Sequence, residues 1–324
     1  MAEPSEWAFP AELQPRAEDL RFDLDAALDS LVLVRAEIPE DAFTAAILGT
    51  ERIGNGVIIG VDGLVLTIGY LITEATTIWL TTNQGTAVAG YPLAYDQATG
   101  FGLVQPLAPL GAQPLARGSA ADVSVGDTVV LAGHGGRAHA LKAALFAKRE
   151  FAGYWEYVLD EALFTQPAHP QWGGAALISR DGRLIGIGSL LVQEQSGSDQ
   201  VQGNMIVPID LLEPILADMV TLGRSKRPAR AWLGMYTTEV EGQLVVAGLA
   251  DSGPADRASV QVGDLVLEVA GERVTGLAQL FRKIWSLGPP GSEVPMTLAR
   301  EGSISRVKLR SADRADFLKK PRLH

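Results

Sequence analysis

The feature that most constrains the fold is a long series of short apolar runs broken by glycine, proline and Asp-Gly pairs. "GVIIGVDGLVLTI" (56–68) and "LISRDGRLIGIG" (177–188) each set Asp-Gly between two runs rich in β-branched or apolar residues, the strongest short-range signal of a β-hairpin. "TTIWLTT", "GFGLVQPL" and "GDTVVLAG" lie between them, and helical periodicity is scarce before "VPIDLLEPILADMV" (207–220). Regularly spaced strands joined by turns predict a barrel or sandwich rather than βαβ units. The Gly- and Pro-flanked basic run "GRSKRPAR" (223–230) reads as a solvated linker. Beyond it, strands alternate with a short helix at "PADRA" and a longer one at "LAQLFRKIWSL", the pattern of a compact α+β module. The charged tail from Ser311 is expected to fray.

With 324 residues and 47% hydrophobic content the chain can bury two cores. A net charge of −11 argues against nucleic acid as a partner, since phosphate binding rests on a basic surface. The absence of cysteine excludes disulfides, thiolate metal sites and a cysteine nucleophile together. The histidines are His134, His139, His169 and His324, and the spacing "HGGRAH" matches no sharp ligand motif, so neither metal nor cofactor is expected. No apolar run approaches the ~18 residues of a membrane span. The first residues show neither a basic n-region nor an apolar h-region, which for the chain as given predicts a cytoplasmic location.

From about Leu24 to Arg310 the chain resembles the HtrA (Deg) family. In the first part the resemblance rests on "GNGVIIGVDGLVLT", "YDQATGFGLV" and "PQWGGAALISRDGRLIGI"; in the second it rests on "WLGM", "SGPADRASVQVGDLVLEVAGERV" and "GSEVPMTLAREG". It implies a mainly β protein, a trypsin-like double β-barrel followed by an α+β PDZ domain. The expected division is an extension at 1–23, a protease-like domain at 24–222, a linker at 223–229, a PDZ domain at 230–312 and a tail at 313–324. The family's histidine stands in an "LTNxHV" frame, its aspartate in "DxxTDLAL" and its serine in "GNSGGP". Here "LTIGYLI", "DQATGFGLV" and "PQWGGA" put Tyr70, Gly100 and Trp172 at those places.

Serine acylation needs a hydroxyl, a base to take its proton, a group to orient that base, and amide donors for the oxyanion. Trp172 offers only an indole N–H donor. Tyr70, with an ordinary pKa of ~10, is a poor base at neutral pH. Gly100 has no side chain. The family's second oxyanion donor, two residues before the nucleophile, falls on Pro170, which has no backbone N–H. Rewired catalysis would have to pair His134 or His169 with Ser179, Ser189 or Asp160. Trp172 is expected either to plug the vacated cleft or to face a ligand as an aromatic platform.

The PDZ resemblance implies that backbone amides of "WLGM", Trp232 to Met235, receive a peptide's C-terminal carboxylate while the peptide adds a strand to the sheet. Gly234 permits the turn. Leu233 and Met235, with Leu280 and Ile284 at i, i+4 on the helix, would line the pocket for the terminal side chain, or serve only as core. Ser259 follows "PADRA" where the family often has glycine, at a cost of about 1 kcal/mol if the position is left-handed.

The sequence-based expectation is therefore a non-enzyme, a cytoplasmic HtrA-like pseudoprotease that binds protein C-termini as a scaffold or regulator. The alternatives are an active serine endopeptidase with relocated groups and a non-catalytic subunit of an active homologue. By the same resemblance, Trp7, Phe9 and Phe22 are offered as contacts of a homotrimer.

Overall fold

The structure, a computed structural model, describes residues 7–196 and 199–320. It divides into two compact units, one formed by 1–149, 161–226 and 319–324 and the other by 150–160 and 227–318. The PDZ-like unit thus takes in Glu150–Asp160, a stretch the sequence places within the protease-like domain.

In the first unit, a one-turn helix α1 (Leu24–Leu28), capped by the Asp23 carboxylate, leads into strand β1 (Leu31–Glu37). A short helix α2 (Ala45–Leu48) and strands β2 (Glu51–Ile58), β3 (Val65–Ile68), β4 (Thr77–Thr82), β5 (Ala87–Tyr95) and β6 (Phe101–Pro106) follow. The six strands close into a barrel in the order β1-β2-β3-β6-β5-β4. A second barrel is built from β7 (Thr128–Ala132), β8 (Ala140–Gly153), β9 (Tyr157–Gln166), β10 (Ala176–Ile178), β11 (Leu184–Ser196) and β12 (Asp199–Pro208), in the order β10-β11-β12-β9-β8-β7. Both Asp-Gly hairpins form: Val57 pairs with Leu66 across the first, and Ala176 with Ile187 across the second. Closure leaves no open edges, and inward residues such as Val34, Leu66, Leu103, Leu131, Leu177 and Ile185 are fully buried.

The sequence places helical periodicity from 207, but β12 runs through Pro208 and helix α3 occupies Glu213–Leu222. Pro214 sits in its first turn, where its missing N–H costs nothing, and Gly223 ends it in the left-handed region with φ 70. Pairing with β11 claims residues 199–208 for the sheet before the helix can start.

The second unit carries the sheet β13 (Met235–Val240), β14 (Gln243–Leu249), β15 (Leu265–Val269), β17 (Glu293–Arg300) and β18 (Ser303–Arg310), with β16 (Glu272–Arg273) beside β15. Helix α4 (Pro254–Arg257) and helix α5 (Leu277–Ser286) flank it. Leu277, Leu280, Phe281 and Ile284 of α5 are all buried, the stripe that an amphipathic helix presents to a sheet.

The tail does not fray where expected. Ala312 and Trp232 exchange backbone hydrogen bonds, a 3-10 turn spans Arg314–Asp316, and Phe317 packs on the Trp232 ring. The aromatic residues offered for a trimer are engaged within the chain: Trp7 stacks on His139, Phe9 meets the edge of His169, and Phe22 covers Gly182.

Candidate functional site

Two places carry the candidate chemistry. The first, within the barrel unit, holds the three residues that the resemblance puts at the triad positions. Tyr70 lies in the 3-10 turn Gly69–Leu71 that follows β3, Gly100 immediately precedes β6, and Trp172 sits on the loop between β9 and β10. Tyr70 Oη donates to the Ser189 carbonyl at 2.8 Å and is hydrogen-bonded to the Trp172 side chain. Burial pushes the phenol above its ordinary value, against the pull of the Trp172 bond, so the ring stays neutral. The Gly69 N–H donates to the Gly100 carbonyl at 2.7 Å, which brings the third position beside the Tyr70 turn. Gly100 has φ 82, a left-handed conformation in which an aspartate would be strained.

The loop around Trp172 is held by groups that sequence reasoning did not single out. Asn55 Nδ2 donates to the Gln171 carbonyl at 2.9 Å and to that of Gly173 at 3.2 Å, while its Oδ1 accepts from the His134 N–H at 2.8 Å. A Cβ on Gly174 would lie 1.8 Å from the Asn55 carbonyl oxygen, so this glycine is sterically required. The two glycines after Trp172 therefore preserve a backbone frame although the reacting side chains differ. The signal was present: Asn55 lies inside "GNGV", where a polar residue interrupts an apolar strand.

His169 is fully buried and spends both ring nitrogens on the backbone. Nδ1 accepts from the Gln171 N–H at 3.0 Å, which leaves Nε2–H to donate to the His139 carbonyl at 2.9 Å. Burial lowers its pKa to about 4, so it is neutral at physiological pH. His134 approaches the Thr82 carbonyl through Nε2 and is likewise held below its ordinary value, first by burial. The ring partners of both are backbone groups rather than Ser179, Ser189 or Asp160. Ser179 is tied into its own turn, its Oγ accepting from the Arg183 N–H, and Asp160 pairs with Arg282. Pro170 offers no N–H, and the Gln171 N–H is taken by His169. Among the described residues no group of three or more His, Asp or Glu side chains could hold a metal ion.

The second place is the loop Trp232–Met235. Gly234 has φ 69, and a Cβ there would lie 3.0 Å from both the Ala250 Cβ and the Trp232 ring. The loop therefore needs glycine on two counts. Trp232 is buried and pinned through its backbone to Ala312. The amides that follow converge on one carboxylate. Glu156 Oε1 accepts from Leu233 N–H and Met235 N–H, each at 3.1 Å, and Oε2 accepts from Leu233 N–H at 3.0 Å. The Gly234 N–H contributes as well. Leu233, Met235, Leu280 and Ile284 are each buried to within 1% and belong to a single apolar cluster that includes Val158. The lone acid in "FAGYWEYVL" was not recognised from the sequence. A carboxylate flanked by aromatic and apolar residues in a strand-forming run was the available signal.

Ser259 adopts φ 61, the left-handed conformation at issue, so the cost assigned to it applies.

The fold and these two places define a class, a trypsin-like double barrel followed by a peptide-recognition module. Residues 54–187 match the trypsin-like peptidase domain family, and residues 231–310 match the PDZ domain family. The chain belongs to the HtrA family. It is 23% identical over 270 residues to the serine endoprotease DegS of Haemophilus influenzae, covering 80% of this chain and 77% of DegS. It is 25% identical over 282 residues to a probable periplasmic serine endoprotease, DegP-like, of Halomonas elongata, covering 83% of this chain but only 58% of that protein. The chain thus spans little more than half the length of the DegP-like relatives it matches. The solved structure of the HtrA-type protease AlgW with a tripeptide superposes with a TM-score of 0.52 at 17% identity, covering 93% of this chain and 99% of AlgW, a likeness of fold.

These relatives correct two expectations. The chain was expected not to be an enzyme, yet the proteins it resembles along most of its length are serine endoproteases; Tyr70, Gly100 and Trp172 are departures inside an enzyme family. The cytoplasmic expectation is likewise overturned, since DegP-type relatives are named periplasmic. Among the described residues no helix is long and apolar enough to cross a membrane.

Proposed function

We propose that this HtrA-family chain recognises the C-termini of peptides or unfolded proteins through the loop Trp232–Met235, acting as a periplasmic scaffold or regulator. The observation that supports this reading most directly is the convergence of the Leu233, Gly234 and Met235 amides on one carboxylate. Backbone donors on a turn fixed by Gly234 recognise negative charge without any particular side chain, and a hydrogen bond to a charged group contributes about 1.5–3 kcal/mol. The apolar residues Leu233, Met235, Leu280 and Ile284 would then select the terminal side chain. The location follows the names of the DegP-type relatives.

The Ser-His-Asp route to peptide hydrolysis is closed to Tyr70, Gly100 and Trp172 for the reasons of nucleophilicity, basicity and orientation given above. Any hydrolysis by this chain has to use other groups. The bonds of Tyr70 to the Ser189 carbonyl and to the Trp172 side chain support Trp172 as a plug, and recognition in this reading rests on the loop.

The test is an array of peptides with free C-termini, varied only in the last residue and probed with the full-length protein. Retention of peptides ending in an apolar residue, lost in an Ile284→Ala variant that remains folded, supports the reading. Retention indifferent to the last residue contradicts it.

A further inference from the structure

The chain rejoins the barrel unit at Lys319. We infer that this segment is a strap on the first barrel: the Lys319 N–H completes the donor set of the buried Glu74 carboxylate, and Glu74, through Thr44 and Arg52, positions the turn that carries Tyr70. The strap makes no use of the loop Trp232–Met235 and stands or falls apart from that loop's proposed role.

Glu74 lies just beyond the Gly69–Leu71 turn, buried, with φ 65, a costly conformation for a non-glycine residue. Its bonds hold it there. Oε1 accepts from the Phe43 N–H at 3.0 Å and from the Lys319 N–H at 2.8 Å, while Oε2 accepts from the Thr44 N–H at 2.7 Å and the Thr44 hydroxyl at 2.6 Å. Burial works to raise the Glu74 pKa, but the Lys319 N–H, the Thr44 hydroxyl and the Thr44 and Phe43 amides together hold it below its ordinary value. It is therefore an anion at neutral pH. Three of the donors come from Phe43 and Thr44, and the fourth comes from 245 residues further along the chain.

Arg52 carries the constraint onward. It is buried, and its Nη2 donates to Thr44 Oγ1 at 2.7 Å, the hydroxyl that itself donates to Glu74. Nη1 donates to the Tyr70 carbonyl at 2.6 Å and to the Thr73 carbonyl at 3.1 Å. Burial lowers the Arg52 pKa to about 10 against the pull of Glu74, so the guanidinium stays charged at neutral pH. A buried cation is costly without a counter-charge, and Glu74 supplies it beneath the Tyr70 turn. Tyr70 in turn bonds the Ser189 carbonyl and the Trp172 side chain. A carboxylate that loses one of four donors regains freedom, and the loss passes along this series of bonds to Tyr70 and Trp172. The Lys319 ammonium pairs with Asp41 in an exposed contact that adds little. The backbone N–H is therefore the part of Lys319 that acts.

The discriminating experiment compares full-length Lys319→Pro, which removes the N–H, and Lys319→Ala, which keeps it, with the wild type. Glu74→Gln is the second variant and leaves the strap itself unchanged. Thermal unfolding is run on each to confirm the fold. The readouts are hydrogen exchange and fluorine NMR of fluorotryptophan-labelled protein, with the Trp172 resonance assigned through Trp172→Phe. Lys319→Pro and Glu74→Gln should speed exchange at least ~10-fold at the Phe43 and Thr44 amides and at the Ile72 and Thr73 amides, which close the Tyr70 turn on the Gly69 carbonyl. Both should also shift the Trp172 resonance, and Lys319→Ala should do neither. Folded Lys319→Pro and Glu74→Gln proteins with wild-type exchange and an unmoved Trp172 resonance overturn the strap. Faster exchange at Phe43 and Thr44 alone, with Ile72, Thr73 and Trp172 unchanged, overturns the positioning of Tyr70. Equal changes in Lys319→Ala and Lys319→Pro assign the effect to the Asp41 pair and overturn the role of the backbone N–H.

Discussion

The site of Tyr70 and Trp172 and the loop Trp232–Met235 both engage groups of the chain itself, yet in different ways. At the first, the engaged groups are the residues that the resemblance puts at the triad positions, held by bonds such as that from Tyr70 Oη to the Ser189 carbonyl at 2.8 Å. On the loop the group is Glu156, a residue remote in sequence whose carboxylate accepts from backbone donors. A Ser-His-Asp site depends on side-chain identity at a few positions. A carboxylate site made of amides depends on one permissive glycine, and it persists whatever the neighbouring side chains are. The difference shows why a frame for chemistry and a frame for binding can diverge in one chain.

Four substitutions or conditions sharpen that contrast. The largest effect is expected from Gly174→Ala, whose Cβ would stand 1.8 Å from the Asn55 carbonyl at a position with φ 75. It should lower stability by more than about 4 kcal/mol in denaturant unfolding, the range of backbone strain and displaced core structure combined. A stable Gly174→Ala protein would mean that the loop frame is not what preserves the barrel.

Next in size is the effect expected at Pro170, which has no backbone N–H at the position the resemblance gives to an oxyanion donor. The triple variant Tyr70→His, Gly100→Asp, Trp172→Ser should cleave a fluorogenic casein about 10²–10³-fold more slowly than the same variant carrying Pro170→Gly as well. Equal rates would show that Pro170 leaves the oxyanion site intact.

The loop gives a pH dependence of opposite origin. The folded pKa of Glu156, about 7, lies above its ordinary carboxylate value, so its contribution to docking is fully present at acid pH and is lost as the pH rises through about 7. Besides the loop amides, Arg314 acts on Glu156, and the neighbouring Tyr236, raised above its ordinary value first by burial, is influenced by Arg314, Glu156, Tyr154 and Asp251. Fluorescence of Trp155, beside Glu156, should follow a transition near pH 7 that disappears in Glu156→Gln. The smallest effect is at Ser259, where φ is 61: Ser259→Gly should stabilise the PDZ-like unit by about 1 kcal/mol, a few degrees in its thermal midpoint.

Much of this was legible in the sequence, for identifiable reasons. The Asp-Gly turns at 62–63 and 181–182 set local hairpin geometry, which needs no tertiary information. The positions of Tyr70, Gly100 and Trp172 could be found because the residues around them still form the frame. Glu156 could not, since its partners lie 77 and 79 residues further along and no local pattern encodes that contact. The order of the tail escaped for a similar reason: a charged composition predicts fraying, but Trp232 and Phe317 bind the segment through packing. Leu280 was offered either as pocket lining or as core. It is fully buried in the apolar cluster, so a charge there attacks the core as well as the pocket.

The most direct measurement of the central claim is calorimetric titration of the full-length protein, at pH 8, with one peptide ending in an apolar residue, prepared as free acid and as C-terminal amide. If the Leu233–Met235 amides recognise a carboxylate, the acid should bind more tightly by about 1.5–3 kcal/mol, the contribution of hydrogen bonds to a charged acceptor. Equal affinities for acid and amide would contradict the assignment of this loop as the recognition site.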